Sequence, residues 1–317
     1  MLKKNLSEMI IQFDITPTGP ILVKSGIEGG ADPTIPDMNF VRTIHPDTGD
    51  NTVYLPGSSL KGVFRSYAEK IANTVDLKIK DVVAEPNAYE NLKKESDNKD
   101  NEIYKGSDCI AKLFGSQILA SRIKFKDAFP ECKIEPEHRT NVSINRTLGS
   151  VQAGPFNMEV VTKGNFKVKI SVRNFELWQV GLLGLILRDL SNGQIKIGYA
   201  KTRGLGDVKI ALAQIEIDIT YSKPNYDPKA FNESIGKGEV LGLDRLLKEK
   251  EAESYGVKRF DDLNIIVETK DEDGWGTNLN QKIRGNDVVN LLRKCVEKHW
   301  AKYVEEELKS ATDRIHN

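Results

Sequence analysis

The chemistry open to this chain starts at Leu55-Pro56-Gly57-Ser58-Ser59-Leu60-Lys61-Gly62-Val63-Phe64-Arg65. Pro56-Gly57 forces a turn, and Ser58 or Ser59 is placed to cap a helix. Apolar residues then recur at Leu60, Val63, Phe64, Tyr67, Ala68 and Ile71, the spacing of one buried helical face. The first turn of such a helix offers unpaired backbone N–H groups beside two hydroxyls, with Lys61 and Arg65 one turn apart on its other face. Together these make a site for phosphate. A second glycine turn with two cations lies far along the chain, at Gly198-Tyr199-Ala200-Lys201-Thr202-Arg203-Gly204-Leu205-Gly206. Metal chemistry is weakly signalled, because Cys109, Cys132, His45 and His138 share no ligand spacing.

The 317 residues provide ample material for a core, and 46 Lys or Arg against 46 Asp or Glu leave no global field to draw in nucleic acid or membrane. Any such partner must be held by local patches. Three cysteines without a pairing pattern suit a reducing cytosol, and no apolar run is long enough to act as a signal peptide or to span a bilayer. The expected location is the cytoplasm.

Several elements must position the two glycine turns. Residues 8–15 alternate as a strand, and the glycine- and proline-rich stretch after Val23 is too long for a simple turn, so it reads as a functional loop. Residues 86–108 are almost all polar and predict a mobile insertion without a packed core. Residues 122–129 and 166–172 read as half-buried strands, and 138–160 as an exposed hairpin. Between residues 120 and 173 ten Lys or Arg stand against five Asp or Glu, which predicts a basic sheet surface. Asn174 opens a helix whose Gly181 and Gly184 suggest close packing on another element, and a strand follows from Val208. The order β, α, β, β, α, β is the split βαβ, or ferredoxin-like, arrangement of an α+β fold. Beyond Pro224 the spacing of Val288, Leu291, Leu292, Cys295, Trp300 and Val304 is helical.

In this order and around this pattern, the two glycine motifs resemble the RAMP superfamily of CRISPR-associated proteins. More narrowly, they resemble the backbone subunit of type III effector complexes, which serve in antiviral defence. The resemblance implies a ferredoxin-like (RRM-like) palm over residues 1–223, with an insertion near 76–118, a thumb hairpin near 138–160 and a mainly helical extension over 224–317. It also implies partners: a CRISPR guide RNA, a single-stranded target RNA, further copies of the same chain and other effector subunits, with no membrane.

Family members carry an aspartate, in the loop before the motif helix, that cleaves target RNA. Asp37 matches that placement best and Asp32 is the second candidate. The implied activity is an endoribonuclease working by attack of the 2′-OH, with the carboxylate as a weak base or as the holder of a divalent ion such as Mg2+. Candidate RNA contacts are Arg42, Ser58, Ser59, Lys61, Arg65, Lys201, Arg203 and Gly204, with Arg139 and Arg146 at the hairpin. The alternatives are a non-catalytic scaffold of the same complex, a guide-processing endoribonuclease, and an unrelated ferredoxin-like RNA binder. The last would use aromatic strand motifs that are absent here.

Overall fold

In the computed structural model, which describes residues 4–26, 38–80, 84–220, 239–260, 262–267, 269–270 and 278–316, alternation builds the central strand. β1 (Ser7–Pro17) turns Met9, Ile11, Phe13 and Ile15 inward at 0–1 % exposure, and Glu8, Ile10, Gln12 and Asp14 to the other face. The chain continues through a small β2 (Arg42–Ile44) and β3 (Asn51–Val53) hairpin into α1 (Gly57–Thr74), then α2 (Ala88–Glu95), α3 (Asp100–Gly106) and α4 (Cys109–Phe114). Next come β4 (Ile123–Phe125), β5 (Phe129–Pro130), the β6 (Glu137–Ile144) and β7 (Val151–Val160) hairpin, β8 (Phe166–Arg173), α5 (Leu177–Ser191) and β9 (Val208–Thr220). After β9 lie α6 (Leu243–Leu246), α7 (Glu249–Tyr255), β10 (Thr269–Lys270), β11 (Asn278–Arg284), α8 (Asn286–Cys295), a π-helical turn at Val296–Trp300 and α9 (Ala301–His316).

The main sheet runs β10-β11-β9-β1-β8-β4, with β5 also on β8, and every pairing is antiparallel. From β1 the chain passes through α1 to β4, skipping the position that β8 fills. From β8 it passes through α5 to β9, skipping β1. Two interleaved βαβ crossovers therefore make an α+β core, as the pattern of elements predicted. Phe64 of α1 sits in that core, 6.4 Å from the ring of Phe13 and 5.0 Å from that of Phe125.

Four features differ from the sequence reading or refine it. Neither Ser58 nor Ser59 caps α1: the helix begins at Gly57 with Pro56 as its N-cap, and the Gly57 N–H donates to Asp127 Oδ1 at 2.7 Å. Asn174 likewise does not cap α5. It adopts φ +47° and its amide oxygen accepts the N–H groups of Leu6 and Ser7, while Glu176 and Gln179 form the capping box.

The polar insertion is packed as well. α3 inserts Tyr104, 1 % exposed, beneath Arg122, whose guanidinium lies 4.2 Å from the ring centre, and the Tyr104 hydroxyl donates to buried Glu176. A few apolar side chains at helical spacing suffice to anchor a charged segment.

The outer face of the sheet carries charges of both signs. Opposite Arg173, Lys169 and Lys167 of β8 stand Glu8, Gln12 and Asp14 of β1, and β9 adds Glu216 and Asp218 on the same face. The same face also carries Lys124 of β4, Lys209 of β9, and Lys282 and Arg284 of β11, so carboxylates from β1 and β9 interrupt a surface on which cations stay in the majority.

Of the extension, β11 pairs with β9 and α8 packs on α5. A Cβ on Gly181 would lie 2.6 Å from the Cys295 carbonyl oxygen, and one on Gly184 would lie 3.2 Å from Leu292 Cβ, so both glycines permit the close packing they suggested. Among the described residues no helix is long and apolar enough to cross a membrane.

Candidate nucleic-acid interface

The first glycine motif divides by face. Gly57 is required by packing, since a Cβ there would come within 2.4 Å of the Phe125 carbonyl oxygen on β4. The core stripe is Leu60, Phe64, Ala68 and Ala72, rotated so that Val63 and Tyr67 lie only partly buried at its edge. Lys61 and Arg65 turn together toward the loop after α4. Lys61 Nζ donates to Ser121 Oγ at 2.9 Å, and Arg65 donates to the Gly115 carbonyl and to Glu69, each at 3.0 Å. Burial, and then the neighbouring Arg65 charge, hold the Lys61 pKa below its ordinary value.

The remaining face of α1, carrying Ser59, Gly62, Val63, Ser66, Tyr67 and Lys70, looks across a groove of about 600 Å³ at Gln194, Ile195, Lys196, Gly198, Tyr199 and Lys201, with Val23 and Lys24 completing the wall. The two glycine motifs therefore meet across one groove. Four lysines line it and, among the described residues, no carboxylate does. Lys196 is paired with Asp207 at 3.0 Å, while Lys24, Lys70 and Lys201 are exposed. A wall with cations of one sign, two hydroxyls and a bare helical glycine suits a phosphodiester backbone.

Backbone hydrogen bonds fix the second motif beside the first. The N–H of Tyr199 donates to the Leu22 carbonyl at 2.6 Å, Gly206 N–H to Pro20 O at 2.9 Å, and Ile197 N–H to Gly206 O at 3.0 Å. Gly198 (φ +80°) has no room for a side chain, because a Cβ would sit 2.3 Å from the Leu22 oxygen. Lys201 and Arg203 lie on a 3-10 turn closed by Gly204 at φ +83°, all exposed. Arg203 rests its guanidinium on the Tyr199 ring, 5.4 Å from the centre.

Asp32 and Asp37 lie outside the described residues, but both ends of their loop are described. Lys24 bridges to Phe40, and Ser25 N–H donates to Asn39 O at 2.9 Å. Met38 N–H donates to Asn157 O at 3.1 Å, and Glu159 N–H to Met38 O at 2.9 Å, so the chain directly after Asp37 is bound to the base of the β6–β7 hairpin. Arg42 is engaged at the same place: its guanidinium donates to both oxygens of Glu159 at 2.7 and 2.9 Å. Burial alone would raise the Glu159 pKa, but the Arg42 hydrogen bonds and the N–H of Phe40 outweigh it and hold the carboxyl below its usual range.

Beyond that base the hairpin stands clear of the core, with every residue exposed from Glu137 to Ile144 and from Val151 to Asn157 on the return strand. Arg139 is exposed 3.9 Å from Glu137, and Arg146 is exposed in the connecting turn. The structure thus brings Ser59 and Lys201 to one groove, with Arg203 and Gly204 on the adjoining turn and Lys61 and Arg65 on another face of α1. Lys24, Lys70 and Lys196 were missed by the sequence reading. The spacing Ser59, Gly62, Ser66, Lys70 is itself a helical stripe and is the signal that could have found Lys70. Among the described residues no three His, Cys, Asp or Glu side chains gather to hold a metal ion.

Fold and groove define an α+β protein with a cationic cleft between a helix and a glycine turn. The RAMP superfamily model matches residues 14–209, more than half of the chain, and the chain belongs to that superfamily. Membership supports a CRISPR-associated RNA-binding function, since RAMP proteins generally bind RNA in CRISPR complexes. A search of curated proteins found no match.

Proposed function

We propose that the chain is a guide-RNA-binding backbone subunit of a type III CRISPR effector complex, a ferredoxin-like palm repeated along the guide, and that it cleaves the paired target RNA. The observation that carries this reading is the groove where the two glycine motifs face each other, with four lysines and no carboxylate in its described wall. Guide phosphates would lie along this groove, while base pairing, not the protein, reads sequence. The exposed β6–β7 hairpin is the thumb that interrupts the duplex.

Cleavage needs little from the protein. One nucleotide is unstacked so that its 2′-OH lies in line with the adjacent phosphorus; the 2′-O–P bond forms as the P–O5′ bond breaks. The 2′ proton passes to a carboxylate, and the departing 5′ oxygen takes up a proton from solvent. The products are a 2′,3′-cyclic phosphate and a 5′-OH. Asp37 is proposed as that carboxylate, with Asp32 second. Its support is the anchoring of Met38 to the thumb base, next to where the duplex would be opened. A carboxylate is also the hard oxygen donor that Mg2+ takes, and such an ion would neutralise charge on the phosphate.

The test is the complex assembled on guide RNA with labelled target. Asp37→Ala is expected to abolish the fragments without loss of target binding. Persistence of the same fragments would remove Asp37 as the catalyst, and cleavage of a repeat RNA by the isolated chain would favour guide processing instead. Replacing Lys70 or Lys201 by Gln is expected to weaken guide binding several-fold and to reduce the salt slope of log K by about 0.7 for each phosphate that is no longer neutralised.

A further inference from the structure

We infer that the groove receives an unpaired nucleotide, with its base stacked on the ring of Tyr199 and its flanking phosphates on Lys70 and Lys201. This rests on the RNA-binding reading of the groove. Tyr199 is 38 % exposed, and its ring forms part of the groove wall. Arg203 packs on that ring yet is not part of the wall, and among the described residues no other ring or cation stacks on Tyr199, so on this reading Arg203 takes the face turned away from the groove.

The backbone holds the ring there by force of geometry. Tyr199 lies between Gly198 at φ +80° and Ala200 at φ +55°, and its N–H is tied to Leu22. The close approach of Gly198 to Leu22 accounts for the turn, and the turn leaves the Tyr199 ring half in water at the groove. Backed by a guanidinium and fixed at its main chain, the ring has little rotamer freedom left to lose when a flat partner stacks on it.

The charge pattern identifies the partner. Lysines on both sides of the groove and a hydroxyl-bearing helix face suit phosphate and ribose, and an open aromatic face among them suits a base of any identity. A base within a duplex is covered above and below by its neighbours and cannot present a face to Tyr199. The nucleotide at this point is therefore single-stranded or turned out of its stack.

The test uses the full chain, fluorescence anisotropy and two probes: a labelled uridine oligomer and the same oligomer with abasic riboses. Tyr199→Leu is expected to weaken binding of the uridine oligomer about 10-fold, the size of one base–aromatic stack, and to leave the abasic probe unchanged. Tyr199→Trp should retain tight binding, and Lys70→Gln should weaken both probes. Equal melting temperatures for the variants establish that the fold is intact. If Lys70→Gln weakens binding and Tyr199→Leu does not, the stack is overturned and the groove reading stands. Equal loss on both probes with Tyr199→Leu also overturns the stack. If neither variant changes affinity, the groove reading fails and the stack with it.

Discussion

Gly62 and Gly57 sit in one motif and should respond to alanine in opposite ways. A Cβ on Gly62 would meet nothing within 4 Å, and the residue lies inside an 18-residue helix. Alanine in a helix interior is more favourable than glycine by about 1 kcal/mol, so the free protein tolerates that loss for no packing reason. Gly62→Ala should raise stability by about 1 kcal/mol, or about 2 °C in Tm for a chain of this size. At Gly57 the added carbon would press on the Phe125 carbonyl at 2.4 Å, and moving the helix off β4 should cost about 1–3 kcal/mol. Calorimetry of the two variants separates these effects. RNA affinity, measured on the same samples, should fall for Gly62→Ala despite its higher Tm, because in the proposed groove the new methyl group would stand in the path of the sugar-phosphate chain. A lowered Tm for Gly62→Ala would refute the open space at this position. A raised Tm with unchanged RNA affinity would refute the close approach of RNA.

Other expectations follow from charges and thiols. Glu159 has a depressed folded pKa, so its contribution is present above the unfolded value of about 4.3 and is lost as pH falls through the folded value. The stability advantage of wild type over Glu159→Gln should thus shrink below about pH 4 in acid titrations followed by circular dichroism. Asp244 behaves oppositely: burial, opposed by Arg245, raises its pKa to about 6, and its contribution is lost as pH rises through that value. Asp244→Asn should gain on wild type between about pH 4 and pH 6 in urea unfolding. Burial pushes the Cys109 thiol up to about 12, with the Asp108 charge adding to the shift, and Cys295 is buried as well, while Cys132 is exposed. Ellman titration of the native protein should therefore find the Cys132 thiol alone reacting quickly, and all three thiols only after unfolding.

Local rules carried the sequence reading a long way and failed where distant segments compete. Alternation along β1 and β8, and the apolar spacing of α1 and α5, depend on neighbours in the chain, so these elements and their order could be read directly. Caps could not. The N–H at the start of α1 is satisfied by Asp127 rather than by Ser58 or Ser59, and Asn174 serves the start of β1. Tyr104 in a polar stretch gives no local sign that it will lie under Arg122 and reach Glu176.

By itself the sequence determined the α+β order of elements, the two glycine motifs and the family resemblance, because each rests on residue types at short, fixed separations. Tertiary structure alone decided how charge is distributed. Carboxylates of β1 and β9 are set among the cations of the sheet face, Glu159 takes up Arg42, and Lys61 and Arg65 turn toward the loop after α4. The crossover topology then collects Lys24, Lys70 and the Lys196–Lys201 segment, three stretches remote from one another in the chain, along a single groove. Charge acts through space, and only the folded chain sets those distances.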